Sequence, residues 1–542
     1  MKIIVLLLLF LSFATLAQPP LNKRYTIGYD ATIFGSVTAN DSCYYVLGKG
    51  SNQSGYQFQE GAWLRFNFDG TIHSQSMYTN DTLEIILWES PNLIQTLDGN
   101  FATFGACNTY YSGGSNKTAY LFIKLKPNGD TLFTSYINQF YDIDNNYSVT
   151  ASQFFQNTDS TYTCIANIGD MFNSMGRTVL FQLSKKGVLL WHKYFSGISP
   201  IYYDRLTSRS FIKYDTNKLL IGGTIMHTPN TAEDVRFHTK LIMTDTLGSL
   251  IWQRTYSEDT LNWYCFGLTK TNDGGVMYCG RDGEYRESTN GLHYKSHITK
   301  LDANFDVEWR LYVGKFHGED LSFRNILAIN DSEFVAVGNT VINYDTEQYE
   351  AGFYGWLVKF NIDGELLWDR KYINVPHVSN VPTYAKHVLY DVAITKDSGF
   401  VMVGQARKYN TNNLPGPPQQ GWLVKVDKHG CLVPNCQQYD NVDTTTTDTT
   451  DTKPPIVIPE NVLYPNPANT NLYYYHTQTD TSQHQTAYMY NLQGQLVQQF
   501  SLTNTNLTYI IDVTNFANGV YVFVIKNELG EMLRNDKVVV QH

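Results

Sequence analysis

The sequence predicts an all-β chain, a seven-bladed β-propeller followed by a small C-terminal β-sandwich. Three observations carry this. A hairpin-like block recurs at a spacing of 57–66 residues, and short alternating strands with polar turns fill the intervals. After residue 436 the composition shifts to a Thr/Asp/Pro-rich spacer, and a second set of short strands follows. Aromatic residues at 14% and charged residues at 17% of the 542 positions argue against disorder, which needs low hydrophobicity and high charge. The net charge of -10 offers no basic domain to nucleic acid.

The repeated block reads WLRFNFDGTIHSQSMY, LFIKLKPNGDTLFTSY, LFQLSKKGVLLWHKY, LIMTDTLGSLIWQRTY, ITKLDANFDVEWRLY, WLVKFNIDGELLWDRKY and WLVKVDKHGCLVPNC. Its turn position falls at Gly70, Gly129, Gly187, Gly248, Phe305, Gly364 and Gly430. Apolar alternation into a Gly turn and out again is the pattern of a β-hairpin. Arg65, Lys124, Lys300, Lys359 and Lys425 stand five residues before the turn, and Trp191, Trp252, Trp309 and Trp368 four residues after it. Because these Trp recur in step with the repeat, they are expected to be buried between blades. A second hairpin precedes most blocks, as in GLTKTNDGGVMYCG, ILAINDSEFVAVG and VAITKDSGFVMVG. Two hairpins give four strands per unit, the content of a propeller blade. Phe400–Val403, Phe334–Val337 and Val276–Cys279 are the expected inner strands. The last block has Pro434 where others have Trp, so a strand near Tyr25–Tyr29 is expected to complete that blade and hide its edge. The propeller is placed at residues 22–436.

The N-terminus MKIIVLLLLFLSFATLAQ has a lysine, an apolar stretch and small residues before Gln18, the pattern of a cleaved signal peptide over residues 1–17. No later apolar run approaches the roughly 20 residues that span a bilayer, so no transmembrane segment is expected in the mature chain. Seven cysteines are too few for a disulfide framework. Cys431 and Cys436, bracketing a Pro-Asn turn, are the candidate disulfide; Cys265 and Cys279 flank the turn TNDGG and could also pair.

Residues 437–461 form an extended solvated linker by composition. Beyond it, LYPNPANTNLYYY, YNLQGQLVQQF, IDVTNFANGVYVFVIKNELG and KVVVQH resemble the C-terminal sorting domain of the type IX secretion system, placed at residues 462–542. The matching positions are Tyr464, Pro465, Asn466 and Pro467, then Gly494, Gly519 with Tyr521, and Lys537 to Val540. The resemblance implies a Bacteroidetes-type secreted protein, with the type IX secretion machinery as partner of this domain. It also implies passage through the periplasm to a secreted or outer-membrane surface-attached state. The propeller resembles repeat proteins of such bacteria with undefined ligands.

No HExxH, GxSxG, phosphate-binding glycine loop or paired CxxC occurs, so no catalytic residue, metal ligand or cofactor is assigned. The Gly-to-Trp step of four in DGELLW resembles the docking motif of quinoprotein propellers, but no vicinal cysteine pair accompanies it. Asp142, Asp144 and Asn146 alternate as calcium ligands do, without the Gly and closing Glu of an EF-hand loop, and read as a surface turn. His192, His227, His297 and His317 are scattered over different units. The segments joining the two hairpins of each unit are expected on one face, where Tyr56, Tyr285, Tyr344, Tyr349, Tyr354 and Tyr409 are candidate ligand-face aromatics. The expected function is a non-catalytic secreted or cell-surface binding or adhesion propeller, its partner an extracellular glycan or protein. The alternative is an extracellular glycan-acting propeller enzyme with carboxylates in the central funnel.

Overall fold

Six of the seven repeated blocks fold as hairpins, and all seven turn residues take a left-handed backbone conformation. The six turn glycines have φ between 73° and 92°, and Phe305 occupies the equivalent position at 65°. The turn is closed by N–H···O=C bonds such as Gly129 to Lys126 and Phe305 to Asp302, both 2.9 Å. The register slips one residue beyond it, as between Thr131 and Phe133. A type I turn followed by a left-handed residue and a bulge is a common three-residue hairpin closure.

The computed structural model describes residues 18–51, 59–78, 83–87, 92–109, 117–138, 147–170, 176–195, 205–227, 236–256, 261–286, 291–317, 321–341, 353–374, 385–408, 419–432, 436, 463–464, 467–476, 485–502 and 507–542. The chain forms two compact units, Met1–Gly430 and Cys431–His542.

In the first unit, four sheets have four antiparallel strands each, within 31–78, 147–195, 205–256 and 261–317. In a fifth, within 83–137, two short strands in tandem, Leu83–Ile86 and Leu93–Gln95, share the first position beside Phe101–Thr109. The eight-stranded sheet is two further groups, 322–372 and 385–426 with Leu21–Tyr25, joined by one parallel bridge, Phe353 to Lys386. Among the described residues, strand order thus resolves into seven groups, six of four strands and one whose first position is shared by two short strands. First strands of adjacent groups pack together: Tyr147–Gln156 with Arg205–Lys213, that strand with Leu261–Lys270, and onward through Ser322–Ala328 to Ala385–Ile394. Ala385–Ile394 in turn packs against Ala31–Ala39 of the first group, which closes the ring. The fold is all-β and of propeller type. One expectation fails: Phe400–Val403, Phe334–Val337 and Val276–Cys279 lie in second strands, and the innermost place belongs to the strand before each.

The last group takes its outer strand from the N-terminus. Leu21–Tyr25 pairs antiparallel with Gln420–Val426, Leu21 opposite Lys425 and Tyr25 opposite Gly421, slightly earlier in the chain than expected. Asn22 anchors it: Oδ1 accepts from Trp422 Nε1 (2.8 Å) and Nδ2 donates to the Ile373 carbonyl (2.7 Å).

Tryptophan burial differs from expectation. Of the four Trp after the turn, only Trp368 is buried; Trp191, Trp252 and Trp309 are half-buried on outer strands. The fully buried ones are Trp63, Trp356 and Trp422 on third strands, whose both faces are covered by neighbouring groups. The outer-strand rings instead cap the turn of the next group. A Cβ on Gly248 would stand 3.0 Å from Trp191, on Gly364 3.0 Å from Trp309, and on Gly430 2.9 Å from Trp368. Glycine is required at these turns for a close approach as well as for φ. In several groups a tyrosine hydroxyl of the outer strand donates to the turn carbonyl of the next group, Tyr78 to Gly129 (2.8 Å), Tyr256 to Phe305 (2.7 Å) and Tyr372 to Gly430 (2.9 Å). Tyr25 makes the same bond to Gly70 at 2.6 Å, so the N-terminal strand supplies the clamp that the last block lacks.

Cys431 and Cys436 are disulfide-bonded with a Cα–Cα distance of 5.6 Å. Cys265 and Cys279 do not pair. A bulge between Cys265 and Gly267 turns the two thiols to opposite faces, into separate cores.

The second unit has a three-stranded sheet (Leu463–Tyr464, Asn471–His476, Leu507–Asp512) and a four-stranded sheet ordered Leu496–Leu502, Gln485–Asn491, Gly519–Asn527, Met532–Val540. Their core includes Leu472, Tyr474, Met489, Ile511, Phe523, Val538 and Val540.

Candidate functional site

Three basic residues of the third strands, Lys124, Lys300 and Lys425, are buried ion-pair partners of the first hairpin's turn. Lys124 donates to Asp98 (3.0 Å), Thr96 (2.6 Å) and Tyr162 (3.1 Å); Lys300 pairs with Asp273 (2.7 Å) and Glu308; Lys425 pairs with Asp397 (3.0 Å). Burial works to raise the Asp273 carboxyl. Bonds from Lys300, Thr271 and the Gly275 N–H outweigh it and hold the group down at about 2. These pairs tie turns to strands and are structural.

Each innermost strand except the tandem pair carries one β-bulge. The residues left out of register are Gly35, Ser152, Arg209, Phe266, Arg324 and Tyr390. A bulge adds one residue and re-aims the side chains around it. The residue after the bulge then reaches the next group. Asp391 Oδ2 accepts from the Val37 N–H (2.9 Å) and Ser36 Oγ (3.0 Å), and Oδ1 from Asn325 Nδ2 and the Val392 N–H, both 2.9 Å. Gln153 repeats the contact, accepting from the Phe211 N–H at 2.8 Å. Val37 and Phe211 both stand two residues beyond a bulge, so this is a repeated latch between neighbours. Asp391 is fully engaged where the first group meets the last, and burial pushes its carboxyl up to about 6 against these four bonds.

The bulge residues themselves gather arginine and aromatic groups. Guanidinium carbons of Arg209, Arg324 and Arg281 lie 5.0, 5.5 and 5.8 Å from the centre of the Phe266 ring. Arg281 is also held between Tyr264 (4.6 Å) and Tyr294 (4.1 Å), and Phe237 stacks on Tyr264 at 4.9 Å. Burial lowers Arg281 and Arg324, and Arg324 lowers Arg281 further. Arg281 opposes Tyr264 and Ser296, at the middle of its strand Val276–Arg286. A second polar cluster has a buried centre. His297 and Asp282 are fully buried with Nε2 and Oδ1 3.3 Å apart, Tyr312 donates to Asp282 at 2.7 Å, and Arg310 stacks 3.5 Å over Trp263. His297 and Asp282 have no exposure, Arg310 and Tyr312 are half-buried, and the cluster ties neighbouring strands of its sheet together.

Two of the aromatics expected on the ligand face fall on described strands. Tyr285 lies in a strand opposite Leu292, and Tyr354 is half-buried opposite Thr340. Tyr56, Tyr344, Tyr349 and Tyr409 fall outside the described residues, as do residues 1–17 and the Asp142, Asp144 and Asn146 turn. His192 is half-buried against Tyr194 at 5.2 Å, and His297 is the sealed core residue above. Among the described residues there is no group of three potential metal ligands, and no helix long and apolar enough to cross a membrane. The bulge cluster escaped sequence reading; the signal available was an arginine or aromatic residue at one matching position of several units.

In the second unit some of the sorting-motif positions stand on neighbouring strands. Gly519 opposes Val540 and Tyr521 opposes Val538, while Tyr521 also opposes Asn491, where the Gly494 turn begins. Ala468, directly after the exposed Pro467, donates to the Val539 carbonyl (2.7 Å) and accepts from the Gln541 N–H (2.9 Å). Tyr521 is buried and donates to the Ala517 carbonyl at 2.8 Å; Lys537 is exposed, between half-buried Asp536 and buried Val538. Pro465 and Asn466 lie outside the described residues.

Comparison with known proteins agrees with this second unit. Residues 462–541 match the family model described as the secretion system C-terminal sorting domain. No curated protein sequence is significantly similar to the chain. Similar solved structures include an α-L-arabinanase of Penicillium chrysogenum (11% identity, 65% of this chain and 99% of that chain, TM-score 0.38). A Synechocystis apocarotenoid oxygenase (10%, 76% and 95%, 0.36) and the β-propeller domain of the Trilobed protease of Pyrococcus furiosus (8%, 73% and 95%, 0.35) are also similar. At these scores the likenesses assign no activity. The assignment rests on the matched segment and its geometry: residues 462–541 are a type IX secretion sorting domain, carried behind a β-propeller.

Proposed function

We propose that this is a non-catalytic binding or adhesion propeller that the sorting domain delivers to the cell surface or the medium. The observation that carries the reading is the chemistry of the innermost strands. Their bulges present Arg209, Phe266, Arg324 and Tyr390, residue types that recognise ligands. The carboxylate beside them, Asp391, is engaged by four hydrogen bonds in closing the ring, whereas glycoside hydrolysis calls for two carboxyl groups facing one bond. In this reading residues 1–17 are removed on export, residues 437–461 act as a spacer, and Tyr464, Pro465, Asn466, Pro467, Gly494, Gly519, Tyr521 and Lys537 form the part of the sorting domain read by the secretion machinery. The test is an array of extracellular glycans and proteins probed with the full mature chain, with turnover assayed on every hit. Saturable binding without turnover is expected. Turnover of a bound glycan replaces the reading with that of a glycan-acting enzyme.

A further inference from the structure

Six of the repeated turns lead directly into an outer strand, and four of these carry a carboxylate beside the turn residue. Asp69 stands there in the first group, Asp130 in the second, Asp306 in the fifth, and Asp363 with Glu365 in the sixth. In the third and fourth groups the flanking positions hold Lys186 and Val188, then Leu247 and Ser249. The acid of the fourth block, Asp245, is taken up by its own turn. Its Oδ1 accepts from the Leu247 N–H (2.9 Å) and the Ser249 N–H (2.7 Å).

The apolar side chains that replace the acids face water. Val188 and Leu247 are 62% and 64% exposed, and Leu190, Leu250 and Ile251 about half. The two turns adjoin. A Cβ on Gly248 would stand 2.8 Å from Lys193 and 3.0 Å from Trp191, so the fourth group's turn rests on the outer strand that begins with Leu189 and Leu190. Single exposed leucines are ordinary, whereas an adjoining set marks a contact surface. Lys185, Lys186 and Lys193 accompany it, all exposed, and among the described residues none of the three is in an ion pair. Local positive charge therefore joins the apolar tips, on a chain whose net charge is -10.

This combination fits a lipid surface better than a protein. Protein interfaces draw their binding energy from aromatic residues and arginine; lysine is depleted there, and leucine and valine are scarce among the energetic centres. Aliphatic side chains at turns with lysines beside them match a leaflet instead. The tips enter the acyl boundary, while each lysine keeps its stem on apolar surface and its ammonium at the headgroup phosphates. We propose that the rim formed by residues 185–190 of the third group and 247–251 of the fourth docks on an anionic lipid surface. The sorting domain takes the chain outward, and this rim holds it to a membrane there. The inference is separate from the ligand reading above and stands whatever the axis binds.

The test is flotation of the full mature chain with vesicles of phosphatidylcholine alone and of phosphatidylcholine mixed with phosphatidylglycerol, at low and at physiological salt. Binding to the mixed vesicles is expected, weaker as salt rises, with little to phosphatidylcholine alone. Lys185→Ala with Lys186→Ala should weaken it about thirtyfold, about fivefold for each lysine. Leu247→Ser with Leu250→Ser should weaken it about tenfold or more, by withdrawing apolar area from the leaflet. All four side chains are exposed, so neither variant disturbs the core. Ile72→Ser, on the first group's outer strand, should leave binding unchanged. Failure to bind the mixed vesicles overturns the proposal, as does binding that both double variants leave unaltered. Equal binding to the two kinds of vesicle overturns the anionic surface. Self-association in sedimentation that Leu247→Ser with Leu250→Ser abolishes, without vesicle binding, gives the rim to a second copy and overturns the lipid assignment.

Discussion

Phe305 sets two opposing effects against each other, and their sizes decide the outcome of replacing it. Six equivalent turns use glycine; this one holds phenylalanine at φ 65°, a conformation that costs an ordinary residue about 1–2 kcal/mol. Phe305→Gly removes that cost. It also removes a ring that is 7% exposed and packed 4.6 Å from Trp252 and 5.5 Å from Tyr214. Deleting a buried phenylalanine ring costs roughly 3–5 kcal/mol. The carbonyl contacts from Tyr256 and Arg254 belong to the backbone and survive. Packing therefore wins: Phe305→Gly should lower stability by about 2–3 kcal/mol. Phe305→Ala loses the ring and keeps the backbone cost, and should fall by about 3–5 kcal/mol. Urea unfolding of the mature chain, followed by tryptophan fluorescence at unchanged m, measures both. A Gly variant as stable as the parent would refute the packing argument, and equal losses for Gly and Ala would refute the strain argument.

Other consequences can be measured in the same way. The Asp391 carboxyl is raised to about 6 from an unfolded value of about 4, so the native state holds its proton more tightly; the stability this adds is complete below about pH 4 and is lost as pH rises through 6, about 3 kcal/mol in all. Asp391→Asn should flatten that part of the stability–pH curve, and an unaltered slope between pH 4 and 6 argues against it. Asp273 works in the opposite sense: held down at about 2, it contributes above about pH 4 and loses that contribution as pH falls toward 2, so Asp273→Asn should lessen the acid sensitivity seen below pH 4. Tyr25→Phe removes the clamp on Gly70 and should cost about 1 kcal/mol by urea midpoint, with no change indicating that the N-terminal strand is held by its pairing alone. A chain lacking residues 462–542 should remain in the periplasm of a bacterium with type IX machinery, and its normal delivery to the surface would remove the sorting role from that segment.

Much of the ring was legible because its signals are local. A turn glycine, alternating strands and a fixed spacing are properties of a dozen neighbouring residues, and each recurs in the sequence. The third-strand lysines were visible as a column, yet their role was not, because Asp98, Asp273 and Asp397 stand some 26–28 residues earlier, in the other hairpin of the unit. The outer-strand tryptophans were misjudged for a related reason. Recurrence shows that a ring does the same thing in each unit, and what these rings do is cover the neighbouring turn from the rim. Burial on both sides belongs instead to the third strand, where Trp63, Trp356 and Trp422 sit.

The candidate site was hidden by its geometry. A bulge inserts one residue into a strand and shifts the alternation that sequence reading relies on, so Arg209 and Arg324 fall in strands without marking a face. The same insertion produces both features found at the axis. It turns the residue after the bulge toward the next group, where Asp391 and Gln153 latch one group to another, and it leaves the bulged residue itself available for Arg209, Phe266 and Arg324 to meet. The latch residue and the bulged residue are adjacent in the chain, so the contacts that close the ring also hold each bulge in place.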